Sequence, residues 1–261
     1  CGIYPGMGSV MIMDVAQKLD KVDSVLTYVG GLPEIREWPS EYKAGFSPID
    51  VIEEYIRPAR YIENGFEVVR PALSDPEYIF FPKIGTLEAF NTDGLRTLAT
   101  TIDAPNMKEK TLRYPGHIEK MTVLRELGFF SKDKTINVNG AKISPMELTS
   151  QILFPNWKLK PGEADITIFQ STIEGMKDGR KIRYTIDMND RYCSETDVIS
   201  MARTTGYTAT QAIRMIADGL YTHKGISPPE YIGQYPNCVA YMLKGLKERN
   251  IIYHQTVSEI I

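Results

Sequence analysis

An arginine and a histidine flank a Tyr-Pro-Gly turn in the segment Thr111-Leu112-Arg113-Tyr114-Pro115-Gly116-His117. The guanidinium of Arg113 offers a fixed fork of N–H donors that matches the two oxygens of a carboxylate. The imidazole of His117 can change its charge near neutral pH. Together these side chains indicate a site that holds an anionic small molecule. An ordinary turn with a surface arginine and a packed histidine accounts for the same residues.

The turn must be positioned by a strand before it and a helix after it. Residues 107–114 have the composition of a short strand, and an apolar stripe at Ile118, Met121, Leu124 and Leu127 predicts a helix. The first N–H groups of such a helix face outward, and the helix dipole gives that end a partial positive charge. The predicted strand–turn–helix therefore favours an anion at the turn.

Composition excludes several classes of protein. The chain is 43% hydrophobic and 24% charged, which is ordinary for a globular protein. A net charge of −3 argues against a general nucleic-acid binder. No apolar run approaches the roughly 18 residues that cross a bilayer, and we recognise no signal peptide. We therefore expect neither a nucleic-acid nor a membrane partner.

Cysteine usage bears on the cellular compartment. The three cysteines, Cys1, Cys193 and Cys238, are far apart and odd in number, which is not the pattern of a disulfide framework. Reduced thiols in the cytoplasm are the simplest interpretation. No Cys/His spacing indicates a metal site, so we expect none.

Turn signals and apolar periodicity predict an α+β (mixed α/β) fold with a mixed, largely antiparallel sheet covered by helices. Asn64-Gly65 and Asp178-Gly179 each predict a tight hairpin. Further strands are predicted at residues 22–28, 77–81, 87–91 and 251–254, the first ending at Gly30-Gly31. Helices are predicted at residues 7–19, 47–55, 144–153, 208–220 and 239–246. Thr208 and Gln211 form a capping box at the start of the fourth of these helices.

Three motifs in this order resemble the saccharopine dehydrogenase-like family, particularly its lysine 6-dehydrogenase-type members. They are Cys1-Gly2-Ile3-Tyr4-Pro5-Gly6-Met7, then Tyr28-Val29-Gly30-Gly31-Leu32-Pro33, and then the segment from Thr111 to His117. Phe46-Ser47-Pro48, residues 54–59 and residues 87–94 are also similar to the family. The resemblance covers essentially the whole chain.

The resemblance implies that a Rossmann domain binding NAD or NADP normally precedes this segment. The Gly-x-Gly-x-x-Gly fingerprint of that domain is absent from this chain. Residues 22–224 would then be a substrate-binding and dimerisation domain. Residues 1–21 would be a remnant of the dinucleotide-binding domain, and residues 225–261 a return segment that packs on it, so that the terminal segments complete a Rossmann domain. We expect a homodimer, and we expect this chain alone to be inactive.

The resemblance also implies site residues. The family's substrate contacts correspond to Thr111, Leu112, Arg113 and Tyr114, with Asn91 and Asp93 near a further contact. Its cofactor contacts correspond to Tyr4, Pro5, Gly6 and Ser47. His117 is the candidate catalytic residue. Helix capping by Ser47, turn formation by Gly6 and packing by His117 are the structural alternatives.

The reaction implied is oxidation of the CH–NH group of lysine, saccharopine or a similar amine. Hydride passes to the nicotinamide, and water hydrolyses the resulting imine. A base that titrates near neutral pH must deprotonate the amine, either His117 or a residue of the expected dinucleotide-binding domain. A carboxyspermidine- or opine-type dehydrogenase is one alternative. A non-catalytic, dimer-forming module of the same fold is another.

Overall fold

The computed structural model describes residues 1–260. Its helices are α1 (Met7–Ala16), α2 (Pro48–Ile56), α3 (Leu98–Thr101), α4 (His117–Glu126), α5 (Pro145–Trp157), α6 (Ser200–Ala217) and α7 (Pro236–Lys247), with a 3₁₀ helix at Pro229–Gln234. Its strands are β1 (Lys21–Pro33), β2 (Ala59–Glu63), β3 (Phe66–Arg70), β4 (Glu77–Phe81), β5 (Gly85–Asn91), β6 (Asn106–Arg113), β7 (Ile136–Val138), β8 (Ala141–Ile143), β9 (Asp165–Lys177), β10 (Arg180–Arg191) and β11 (Tyr253–Glu259).

Nine of these strands form one mixed sheet, in the order β11-β10-β9-β1-β6-β2-β3, with β5 also beside β6 and β4 beside β5. Strands β1 and β6 are parallel, and the other pairs in the sheet are antiparallel. The predicted fold class is therefore confirmed. Both predicted hairpins form, with positive φ at Asn64-Gly65 and at Asp178-Gly179, because each turn needs two left-handed residues.

Strand β1 is longer than predicted and runs through Gly30 and Gly31 to Pro33. A Cβ at Gly30 would lie 2.7 Å from the Cβ of Leu112 on β6, and one at Gly31 would lie 2.2 Å from Cε of Met201 on α6. The glycines therefore let β1 pack closely against both neighbours. The prediction that they end the strand was wrong, because a local turn signal does not show what packs against it.

Helix α6 begins at Ser200, eight residues before the predicted Thr208. The carboxylate of Asp165 accepts hydrogen bonds from the backbone N–H groups of Ser200 at 2.6 Å and Met201 at 2.9 Å. Thr208 lies inside the helix, where its hydroxyl donates to the carbonyl of Thr204 at 2.7 Å. The capping residue thus comes from a distant strand, so the capping box predicted at Thr208 was wrong.

The terminal segments pack on the sheet. Helix α1 contacts β9, the 3₁₀ helix and α7, and β11 pairs with β10 along its whole length. A single apolar cluster joins α1 and α7 to the strands. The division of the chain at residues 21 and 224 stays a prediction. Within residues 1–260, none of the helices combines the length and apolar character that a membrane span requires.

Candidate active site

A cleft of about 660 Å³ opens beside β6. Glu109, Thr111 and Arg113 line it, because alternate residues of a strand share one face. On the opposite face, Lys110 pairs with Glu77 at 2.5 Å and Leu112 packs in an apolar cluster. One strand face therefore presents a carboxyl group, a hydroxyl group and a guanidinium group to the same cavity.

Arg113 is buried and held from several sides. Its Nη2 donates to Glu54 at 2.6 Å, its Nε to the Tyr55 hydroxyl at 3.2 Å, and its Nη1 to the carbonyl of Leu112 at 2.9 Å. The Tyr42 ring covers one face of the guanidinium, 4.4 Å from its carbon. These hydrogen bonds use three of the five N–H donors. The remaining two have no partner within residues 1–260.

His117 is 1% exposed and does not line the cleft. Its Nδ1 lies 2.8 Å from the carbonyl of Ser40, and its Nε2 lies 2.9 Å from the Tyr55 hydroxyl. Because a carbonyl only accepts, Nδ1 carries the proton and Nε2 accepts from Tyr55. Burial, with a smaller contribution from Arg113, lowers the pKa of His117 to about 3. A neutral ring with both nitrogens engaged argues against the predicted catalytic role.

The predicted substrate contacts divide into two groups. Thr111, Arg113 and Asp93 lie in the cleft. Leu112, Tyr114 and Asn91 lie outside its lining. The Tyr114 hydroxyl donates to the carbonyl of Pro33 at 2.8 Å, and the Asn91 amide donates to Asp75 at 2.7 Å. The motif thus supplies alternate residues to the cleft, because those between them face the other side of β6.

The predicted cofactor contacts are also divided. Tyr4 and Pro5 line the cleft, and the buried Tyr4 hydroxyl has no hydrogen-bond partner among residues 1–260. A Cβ at Gly6 would lie 2.0 Å from the carbonyl oxygen of Gly2, so packing against Gly2 requires glycine there. Ser47 is exposed at the start of α2, and its side chain makes no capping hydrogen bond.

The N-terminus of α1 is a poor site for the phosphates of a dinucleotide. The N–H of Gly6 donates to the Ser9 hydroxyl, that of Met7 to the Gly2 carbonyl, and that of Gly8 to the Ile3 carbonyl. These donors are the ones a phosphate at a helix N-terminus would use. Tyr4 and Pro5 instead form part of the cleft wall, and the buried Tyr4 hydroxyl has no hydrogen-bond partner within the described chain.

Glu109 was not among the residues singled out in the sequence. It is 2% exposed, and its Oε2 accepts from the Thr92 hydroxyl at 2.5 Å and from the N–H of Gly94 at 3.0 Å. Burial raises the pKa of Glu109 to about 7. Its position two residues before Thr111 and four before Arg113 on one strand could have identified it.

The three arginines of the cleft each pair with an acidic residue. Arg57 lies 3.8 Å from Glu53, Arg96 lies 3.1 Å from Asp93, and Arg113 pairs with Glu54. Burial raises the pKa of Glu54, opposed by the charge of Arg113. Five carboxyl groups and three guanidinium groups line the cleft; the carboxyl groups are those of Asp50, Glu53, Glu54, Asp93 and Glu109. The cleft is therefore acidic on balance and suits a substrate with both cationic and anionic groups.

Comparisons with known proteins identify the family. A sequence model described as the saccharopine dehydrogenase C-terminal domain matches residues 2–252. The mitochondrial alpha-aminoadipic semialdehyde synthase of Bos taurus is 28% identical over 148 residues, 51% of this chain and 16% of that protein. The carboxynorspermidine synthase of Vibrio alginolyticus is 23% identical over 244 residues, 90% of this chain and 58% of that protein. The chain thus spans less than two thirds of the length of these relatives.

A solved structure shares the fold. Apo saccharopine dehydrogenase (L-Glu forming) from Saccharomyces cerevisiae superposes with a TM-score of 0.78 at 19% sequence identity, covering 99% of this chain and 73% of that one. At this identity the likeness shows the fold alone, and the match over residues 2–252 shows the family. The chain therefore belongs to the family described as the saccharopine dehydrogenase C-terminal domain.

Proposed function

We propose that the chain is the substrate-binding part of an NAD(P)-dependent oxidoreductase that acts on the CH–NH group of an amino acid such as lysine or saccharopine. The match to the saccharopine dehydrogenase C-terminal domain supports this function. So do the relatives named alpha-aminoadipic semialdehyde synthase and carboxynorspermidine synthase. The observation that carries it is the face of β6, where Glu109, Thr111 and Arg113 line one cleft. A zwitterionic amino acid needs both signs of charge within one cavity.

In this proposal, the substrate carboxylate binds the two N–H donors that Arg113 does not use within the protein. Charge-assisted hydrogen bonds of this kind contribute about 1.5–3 kcal/mol each. Glu54, Tyr55 and Tyr42 already hold the guanidinium in place. Little side-chain ordering is then needed on binding, and the substrate is oriented by a fixed group.

When bound, NAD(P) supplies the hydride chemistry by taking hydride from the amine carbon. Tyr4 and Pro5 would contact its reactive ring from the cleft wall. The residues of this chain orient the substrate, keep part of it out of water and manage the amine proton. The pKa of His117 at about 3 makes it unsuitable for that proton at neutral pH.

The test of this function is turnover and substrate affinity in the full-length protein. Lysine and saccharopine are assayed with NAD and with NADP by the absorbance of the reduced nicotinamide. Arg113→Ala should raise KM about tenfold or more, and Arg113→Lys should also raise it because an ammonium lacks the planar fork. Arg180→Lys is the matched control, since Arg180 is exposed and pairs only with Glu259 among the described residues. An unchanged KM in Arg113→Ala would contradict the proposed carboxylate site.

A carboxynorspermidine-type dehydrogenase is the second candidate. The acidic balance of the cleft favours it, because a polyamine-like substrate carries more positive charge than lysine does. The relative of that name also matches 90% of this chain. Comparing kcat/KM for carboxynorspermidine, lysine and saccharopine separates the candidates. If no amine turns over with either cofactor, the non-catalytic, dimer-forming module is favoured.

We also propose a homodimer that associates through the sheet. Phe66 and Val69 on the edge strand β3, and Tyr78 and Phe80 on β4, are between 58% and 74% exposed. Exposed edge strands with large apolar side chains are ready sites for association. Light scattering at micromolar concentration should give twice the chain mass, and Phe66→Glu with Phe80→Glu should shift the protein to monomer. A monomeric wild type would contradict this proposal.

The cytoplasm is the compartment that we propose from cysteine usage. Cys1, Cys193 and Cys238 are all free thiols. Reduced thiols are typical of the cytosol. Cell fractionation with an antibody to the protein tests this location, and recovery in an organelle would contradict it.

A further inference from the structure

Glu109 is a buried carboxyl group that no cation of the described chain neutralises. No lysine, arginine or histidine nitrogen of residues 1–260 pairs with it. Lys110, its neighbour in sequence, turns to the other face of β6 and pairs with Glu77. An ionised carboxylate taken out of water is costly unless a cation or several donors accompany it. The cleft beside Glu109 therefore favours a positively charged ligand group.

The two oxygens of Glu109 are held unequally. Oε2 accepts from both Thr92 and Gly94, whereas Oε1 has only the Thr111 hydroxyl at 3.4 Å. A Cβ at Gly94 would lie 2.3 Å from Oε2, so glycine allows the backbone donor to come this close. The carboxyl group is thus fixed in orientation through Oε2, and Oε1 keeps acceptor capacity for a ligand.

Several charged or titratable groups share the cleft with Glu109. The neighbouring residues of β1 and α6 in the lining are uncharged. The charged or titratable groups come from α2, from the loop after β5, from the N-terminal turn and from β6 itself: Asp50, Glu53, Glu54, Arg57, Asp93, Arg96, Tyr4 and Arg113. Among these, the arginines pair with acids other than Glu109. No cation in the lining therefore competes with a ligand for this carboxyl group.

We propose that Glu109 receives the reacting amine of the substrate and accepts its proton, with the substrate carboxylate at Arg113. This inference rests on the proposed function and assigns the base that it requires. Glu109 and Arg113 are four residues apart on one strand, a separation of ~13 Å between Cα atoms at about 3.3 Å per residue. Both side chains line the cleft. The spacing suits an amine carried at the far end of an amino acid's side chain.

In the proposed step, one proton moves to Glu109 and one hydride moves to the nicotinamide. The substrate ammonium, RCH₂–NH₃⁺ for lysine, gives a proton to the Glu109 carboxylate and becomes the free amine. The nitrogen lone pair then forms the C=N bond as the C–H bond breaks. The hydride from that bond passes to the oxidised nicotinamide. The products are RCH=NH₂⁺, the reduced nicotinamide and a proton that Glu109 returns to water.

The ionisation of Glu109 suits this role. Burial is the main cause that raises its pKa to about 7, against the hydrogen bonds of Thr92, Gly94 and Thr111. A general base is most effective when its pKa lies near the working pH. Because the base must be ionised to accept a proton, amine oxidation should rise as pH increases through about 7.

The experiment is a pH profile of kcat/KM for amine oxidation in the full-length protein. The wild type should show an acid limb near pH 7. Glu109→Gln keeps the shape but cannot take a proton, so it should lower kcat about 100-fold or more and remove the limb. Glu109→Asp should retain the limb. Glu126→Gln is the control, because that carboxylate is 67% exposed outside the cleft and should leave the profile unchanged.

A second measurement does not depend on turnover. Carbon-13 NMR of glutamate side-chain carboxyl groups in the wild type should show one group that titrates near pH 7, and that group should be absent from Glu109→Gln. Addition of substrate should lower its pKa, since a bound ammonium favours the ionised form. Absence of such a group would overturn the proposal even if Glu109→Gln failed to fold.

Failure of this inference is distinct from failure of the proposed function. If the wild type oxidises an amine and Glu109→Gln keeps its kcat and its acid limb, only the role of Glu109 is overturned. An effect on KM alone would likewise overturn it, because Glu109 would then hold a cation without moving a proton. If the wild type oxidises no amine with either cofactor, the proposed function fails and this inference fails with it.

Discussion

His117 reaches Arg113 through one hydroxyl group, that of Tyr55. The hydroxyl donates to Nε2 of His117 at 2.9 Å and accepts from Nε of Arg113 at 3.2 Å. Ser40 fixes the other nitrogen of the imidazole through its carbonyl. The histidine of the motif therefore sets the position of the arginine, and its effect on the substrate passes through Tyr55.

Stability should depend on His117 below neutral pH. Its pKa is lowered from 6.5 to about 3 in the folded protein, so the unfolded chain binds the additional proton first. Stability is then complete above pH 6.5 and falls as the pH decreases toward 3, by about 1.4 kcal/mol per unit. The free energy of unfolding should therefore be about 2 kcal/mol lower at about pH 5 than at neutral pH from this group alone. Denaturant unfolding of the wild type and His117→Phe measures it, and equal pH dependence in both would contradict the prediction.

Removal of the Tyr55 hydroxyl should weaken substrate binding. Tyr55→Phe leaves Nε of Arg113 and Nε2 of His117 without this partner, which frees the guanidinium to shift. We expect KM to rise by about tenfold, the equivalent of one hydrogen bond, with a smaller change in kcat. In a double-mutant cycle with His117→Phe, the effects of the two substitutions on KM should be non-additive, because both variants break the same chain of hydrogen bonds. Additive effects would show that His117 acts independently of Tyr55.

Asp165 should stabilise the start of α6. Its carboxylate accepts from the N–H groups of Ser200 and Met201, two donors that otherwise lack partners at a helix N-terminus. Asp165→Ala should lower the free energy of unfolding by about 1–2 kcal/mol. Asp178→Asn is the control, since Asp178 lies in the β9–β10 turn with φ of 50°, which asparagine tolerates. Thermal or denaturant unfolding measures both, and an equal loss in the two variants would contradict the capping role.

Two adjacent glycines of β1 should respond differently to alanine. At Gly30 the new Cβ would meet the Cβ of Leu112 at 2.7 Å and its backbone oxygen at 2.9 Å, which cannot move without β6. At Gly31 it would meet only Cε and Sδ of Met201, the end of a flexible side chain. Gly30→Ala should therefore lower the free energy of unfolding by about 1–3 kcal/mol. It should also raise KM, because β6 carries Arg113. Gly31→Ala should lower the free energy of unfolding by less than Gly30→Ala does. A larger loss for Gly31→Ala in unfolding experiments would contradict this packing.

Local signals in the sequence were sufficient for much of the fold. Asn64-Gly65 and Asp178-Gly179 predict their hairpins because few residues other than glycine, asparagine and aspartate adopt positive φ at low cost. The strand–turn–helix that carries Arg113 also follows from periodicity and a Pro-Gly turn. The mixed, largely antiparallel sheet could be predicted because these signals depend on neighbouring residues only.

The chemical state of the site depended on residues far apart in the chain. Arg113 meets Glu54, 59 positions away, and His117 meets Ser40, 77 positions away. The alternation of β6 places Glu109 beside Thr111 and Arg113, but no local pattern indicates that the loop after β5 buries its carboxyl group. The sequence by itself thus determined the fold class, the two tight hairpins and which side chains alternate on β6. Only the tertiary structure decided which of them are buried, paired or free, because burial and hydrogen bonding are set by the elements that pack against them.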